Sequence, residues 1–136
     1  GEDYTLDQLS RVRMATAARC DLYLSLHCDN FPDNPSASGT RLYYCTDVDG
    51  SGAFADALSA ALEAGMGAAP RISGRSEEES FIVTSQIPAP SVLVEMGFVT
   101  NAQDAQNLLS DDWRDQFAQA LTGGVIAYFT DYLQED

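Results

Sequence analysis

The sequence is poor in the groups that usually announce a function. It has one histidine, His27, and three cysteines, Cys20, Cys28 and Cys45, with no C-x-x-C pair. An odd, scattered set of thiols cannot close a disulfide framework, so stability is expected to be independent of disulfides. No apolar run approaches the roughly 18 residues that cross a bilayer, which excludes a membrane span. Cations are scarce: seven Lys and Arg stand against 21 Asp and Glu, a formal charge of −14. That balance argues against nucleic acid or an anionic membrane surface as partner. There is no phosphate-cradling glycine-rich loop, and neither Ser25 nor Ser91 sits in a G-x-S-x-G elbow, so a serine hydrolase has weak support. No signal peptide or initiator Met is present; the chain opens on Gly1-Glu2-Asp3, as a mature or engineered fragment would.

What the chain does have is a core. Hydrophobic residues make up 45% of its 136 residues, enough for one packed domain. Thr5-Leu6-Asp7-Gln8 has the capping-box pattern, with Leu6, Leu9 and Val12 on one face of a helix running to about Arg19. Asp21 to His27 reads as a strand, 30–38 as a Pro/Asn/Ser-rich loop, and Gly39 to Thr46 as a second strand. From Ser51, Phe54, Leu58, Ala61 and Leu62 recur at helical spacing until Gly65, Gly67 and Pro70. The polar stretch from Arg71 to Ser80, with Glu77-Glu78-Glu79, reads as a surface loop, and Phe81 to Thr84 as a short strand.

Val92-Leu93-Val94 is apolar at every position, the pattern of a strand covered on both faces, and it runs directly into Glu95. Asn101 caps a helix to about Leu109. Ser110, Asp111 and Asp112 open the last helix, whose stripe is Trp113, Phe117, Leu121, Val125, Tyr128 and Tyr132. Gly123-Gly124 inside that helix implies close approach to the sheet. Alternating strands and helices give an α/β layered fold, a mostly parallel central sheet with helices on both faces.

His27 and Glu95 both fall at strand ends. On neighbouring parallel strands they emerge at one edge, where ligands of open α/β sheets gather. Taken singly, a strand-end His is more often structural and a strand-end Glu solvated. Together they suit a general acid/base pair, or a metal site whose carboxylate works on bound water. Cys28, adjacent to His27, points to the opposite face and reads as buried and inert. Asp29 reads as an Asx-type residue opening the loop.

Asp21-Leu22-Tyr23-Leu24-Ser25-Leu26-His27, followed by Ser38-Gly39-Thr40-Arg41-Leu42-Tyr43-Tyr44, resembles the zinc-dependent N-acetylmuramoyl-L-alanine amidases of the cell-wall class. So does Pro90-Ser91-Val92-Leu93-Val94-Glu95-Met96-Gly97-Phe98-Val99-Thr100-Asn101, with Asp104 and Leu108 beyond. The resemblance runs from Arg11 to Phe129. It implies a peptidoglycan or muropeptide substrate, cleaved between N-acetylmuramic acid and L-alanine, and a place outside the cytoplasm, in the cell envelope or beyond. It further implies zinc as cofactor, His27 as a zinc ligand, and Glu95 as the catalytic proton carrier.

The family's other two ligands, a His in a Gly-rich turn and a later Glu, precede the region matching Gly1 onward. On this reading residues 1–136 are a single amidase-like domain whose ligand-bearing leading segment is missing. Such a fragment is expected to bind zinc weakly and to self-associate through an uncovered sheet edge. The alternative is a non-catalytic amidase-like module that binds cell-wall fragments or a protein. A metal-free α/β hydrolase using His27 and Glu95 is a third.

Overall fold

The computed structural model describes residues 1–134, without the side chains of Tyr132 and Leu133. Its elements are α1 (Glu2–Ala18), β1 (Tyr23–Asp29), β2 (Arg41–Cys45), α2 (Ser51–Met66) and β3 (Arg71–Arg75). A 3-10 turn at Glu77–Glu79 then leads to α3 (Ile82–Ser85), β4 (Ser91–Phe98), α4 (Ala102–Leu109) and α5 (Asp111–Gln134). The four strands form one sheet in the order β1-β4-β2-β3. β1 pairs with β4, and β2 with β3, in parallel; β4 and β2, where the two pairs meet, run antiparallel.

The apolar run Val92–Val94 of β4 is covered on both faces, and its alternate residues feed two cores. Val92 and Val94 join Leu42, Phe54, Leu58, Leu62, Phe117 and Leu121 beneath α2 and α5. Leu93 points the other way, into Ala15, Val83, Ile87 and Ala89 beneath α1 and α3. Phe54, Leu58 and Leu62, one helical turn apart, are at most 1% exposed. α2 stops where the spacing predicts, at Gly67, whose φ of 81° suits a residue without Cβ. Gly124 is also explained by close approach, but to α2 rather than to the sheet. A Cβ there would lie 2.9 Å from Leu58 Cα and 3.2 Å from the Ala57 carbonyl oxygen, while one at Gly123 would meet nothing within 4 Å. Along α5 the expected stripe is found from Trp113 to Tyr128; Tyr132 lies outside the described side chains.

Several local expectations fail for identifiable reasons. Thr5 is not the cap of α1: the helix begins at Glu2, and the Thr5 amide already bonds the Gly1 carbonyl at 3.2 Å. The docked face is Gln8, Val12 and Ala15, leaving Leu6 58% exposed. Arg71 to Arg75 is a strand, not a loop. An edge strand can be held by backbone pairing to β2 alone, so its polar sequence carries no hydrophobic alternation to read. Phe81 to Thr84 turns helical, with the Thr84 and Ser85 hydroxyls donating back to the Phe81 carbonyl at 2.9 and 3.1 Å. Four residues are too few for periodicity to separate helix from strand.

Cys28 is exposed rather than buried, and the cysteines are free. The same face of β1 packs into the core at Leu22 and Leu24, but its cover ends there, leaving Leu26 50% exposed.

Candidate active site

The parallel pairing of β1 and β4 sets Tyr23 opposite Ser91 and, two pleats on, His27 opposite Glu95. Leu93 faces the α1 side, so Glu95, two residues along the same strand, faces it as well. The row continues across the sheet: Glu95 is the partner of Arg41 on β2, and Arg41 of Arg71 on β3. Because β2 and β3 run opposite to β4, their amino ends lie beside the carboxyl ends of β1 and β4. One end of the sheet therefore presents His27, Glu95, Arg41 and Arg71 in cross-strand order.

Glu95 is half-buried, and its Oε2 is fully buried with no hydrogen-bond partner among the described residues. Burial, followed by the negative charge of Asp29, raises its pKa to about 7. The guanidinium of Arg41 does not relieve it, being stacked over the Phe98 ring with its carbon 4.9 Å from the centroid. A carboxyl poised near neutrality can both take and give a proton there. His27 shares a 2.8 Å hydrogen bond through Nε2 with Ser25 Oγ. Its pKa is lowered by burial and by the positive charge of Arg11, which keeps the ring neutral near pH 7, the form that binds a metal. Asp29 accepts from the Asn30 amide at 2.8 Å as the loop begins.

Sequence reasoning singled out His27 and Glu95 and missed the residues that frame them. Ser25 lies two positions before His27, so strand alternation alone places both on one face. Arg41 and Arg71 required knowledge of strand order, which no local pattern carries.

Asp104 joins the turn after β4 to the loop after β1. Its Oδ2 accepts from the amides of Gly39 and Phe98, both at 2.9 Å. Asn101 caps α4 through the Gln103 and Asp104 amides and donates to the Pro35 carbonyl. Asp104→Ala leaves two amides without their acceptor and is expected to cost about 1–3 kcal/mol. Thermal unfolding measures the loss, and faster hydrogen exchange at Gly39 and Phe98 localises it; unchanged exchange at both would refute the tie.

A metal finds little here. Among the described residues, no three His, Cys, Asp or Glu side chains form a group able to hold an ion. A catalytic zinc ordinarily takes three protein ligands, so these residues do not by themselves fit one. A cavity of about 640 Å³ lies past Arg41 and Arg71, toward Met66, Met96 and Trp113, and neither His27 nor Glu95 lines it.

The fold and these groups define an α/β domain in which a half-buried carboxyl and a neutral histidine face each other near the carboxyl ends of two adjoining parallel strands. The family model described as N-acetylmuramoyl-L-alanine amidase matches residues 1–127, and the chain belongs to that family. It is 34% identical over 128 residues to the N-acetylmuramoyl-L-alanine amidase LytC of Bacillus subtilis, covering 93% of this chain and 25% of LytC. It is 33% identical over 131 residues to the uncharacterized protein YqiI of the same organism, covering 94% of this chain and 61% of YqiI. The crystal structure of an N-acetylmuramoyl-L-alanine amidase from Clostridium difficile 630 superposes with a TM-score of 0.83 at 22% identity, over 90% of this chain and 65% of that one. The chain thus spans less than two thirds of each of these proteins. No helix among the described residues is long and apolar enough to cross a membrane.

Proposed function

We propose that the chain carries the proton-transfer part of a peptidoglycan amidase, which hydrolyses the bond between the lactyl group of N-acetylmuramic acid and L-alanine of the stem peptide. The observation that carries this reading is the pairing of Glu95, with its pKa near 7, opposite neutral His27 within sequence matched by the family model. Glu95 takes a proton as water adds to the scissile carbonyl, then delivers it to the alanine nitrogen as the C–N bond breaks. The products are a free lactyl carboxylate and a free amino terminus on the stem. His27 is proposed as one zinc ligand; further donors would have to come from outside the described residues, and no step is derived through the ion. Such a substrate places the protein in the cell envelope or outside the cell.

Digestion of purified peptidoglycan by the protein that contains this chain tests the assignment. Mass spectrometry is expected to find stem peptides beginning with free L-alanine; new reducing sugar ends in their place would overturn it. A second reading, a non-catalytic wall-binding module, is favoured by the lack of a three-ligand group among the described residues. Retention on peptidoglycan in the presence of chelator, without release of peptides, would establish that reading instead.

Self-association is proposed for the 136-residue chain alone. β1 is an edge strand that carries Leu26 half exposed, and an open edge invites pairing with a second copy. Sedimentation should show species larger than a monomer; a strict monomer would count against it.

A further inference from the structure

The chain contains no lysine, and three of its seven arginines gather in one place. Arg41, Arg71 and Arg75, with Tyr43 and Ser73, line a cleft of about 190 Å³ on β2 and β3. In a chain of net charge −14, concentrating so much of the cationic charge on one sheet face costs repulsion that acidic neighbours could easily relieve. They do not: among the described residues, none of the three forms an ion pair, although Glu77–Glu79 follows directly after β3. Aromatic rings hold two of the guanidiniums instead. Arg75 lies over Tyr43 at 4.6 Å and Arg41 over Phe98 at 4.9 Å. Stacking occupies the face of a guanidinium and leaves its N–H edge to meet a carboxylate in a bidentate pair.

We propose that this cleft binds a carboxylate of an acidic peptide and so selects stems with a free acid group just beyond the alanine. This rests on the amidase reading, which puts the scissile bond at Glu95. The spacing agrees with it. Arg41 is one strand from Glu95 and Arg71 two, so their backbones are about 5 and 10 Å away. An extended peptide advances roughly 3.5 Å per residue, which brings acid groups on the first and second residues after alanine into that range. Arg75 extends the cleft for a further acid group.

NMR titration of the chain with a dipeptide of L-alanine and an acidic residue whose main-chain carboxyl is amidated, alongside the same dipeptide with its side-chain carboxyl amidated as well, tests the inference without need of turnover. The free acid is expected to bind about tenfold more tightly than the amide. Arg71→Gln or Arg41→Gln should erase that preference, whereas Arg114→Gln, on α5 and paired with Asp111, should keep it. Equal binding of acid and amide, or no shift with either, overturns the cleft and leaves the amidase reading intact. Discrimination without any release of stem peptides from peptidoglycan overturns the amidase reading and leaves the cleft as an acidic-peptide site.

Discussion

Glu95→Gln should reduce release of stem peptides by about 10²–10⁴-fold, the range that a positioned proton carrier supplies, and at the same time make the metal-free chain more stable at alkaline pH. Both effects have one origin. Glutamine keeps the shape and polarity of the side chain but can neither accept nor return a proton. In the native protein, burial holds Glu95 at a pKa of about 7 against an ordinary 4.5. Between those values the folded state holds a proton that the unfolded state has released, so stability falls as pH rises through this window and levels off above about 7. Glutamine removes that slope. Chemical denaturation of the metal-free chain at pH 5 and pH 8 should therefore show a smaller loss for Glu95→Gln than for the native chain. Equal losses would mean that the carboxyl is not held protonated, and release of stem peptides at the native rate would remove Glu95 from the chemistry. A residue whose loss improves stability and abolishes activity is a functional rather than an architectural one.

How much of this was legible in the chain depends on the range of the interaction. Val92 to Val94 declared a buried strand because β4 is sandwiched and its composition says so, although the strand runs on past Glu95 to Phe98. Gly67 and Asn101 declared helix ends because local backbone chemistry fixes them. The opposition of His27 and Glu95 followed from a conditional, that their strands be parallel neighbours, and β1 and β4 meet it. The polar edge strand β3 was not legible, because its pairing is supplied by β2. With β3 went Arg71 and the antiparallel join that brings the amino ends of β2 and β3 to the site. The exposure of Leu6 and Cys28 was hidden as well, since each depends on where a covering layer stops.

Phe54→Ala should cost about 3–5 kcal/mol. Phe54 is fully buried in the core shared by α2, α5 and the sheet, and its ring centroid lies 5.4 Å from that of Tyr128. Its removal leaves a cavity that cannot easily close. α2 and α5 already touch through Gly124 at the Leu58 backbone, so the helices have little room to slide together. At roughly 3 °C per kcal/mol for a domain of this size, the melting temperature should drop by about 10 °C. Leu6→Ala is the discriminating partner experiment. Hydrophobic spacing alone ranks Leu6 with the core, but its exposure on α1 predicts a change within about 0.5 kcal/mol. Comparable losses at the two positions would mean that α1 docks through a different face. A large loss at Phe54 alone places the mechanical support of β4, and hence of Glu95, in the α2–α5 layer.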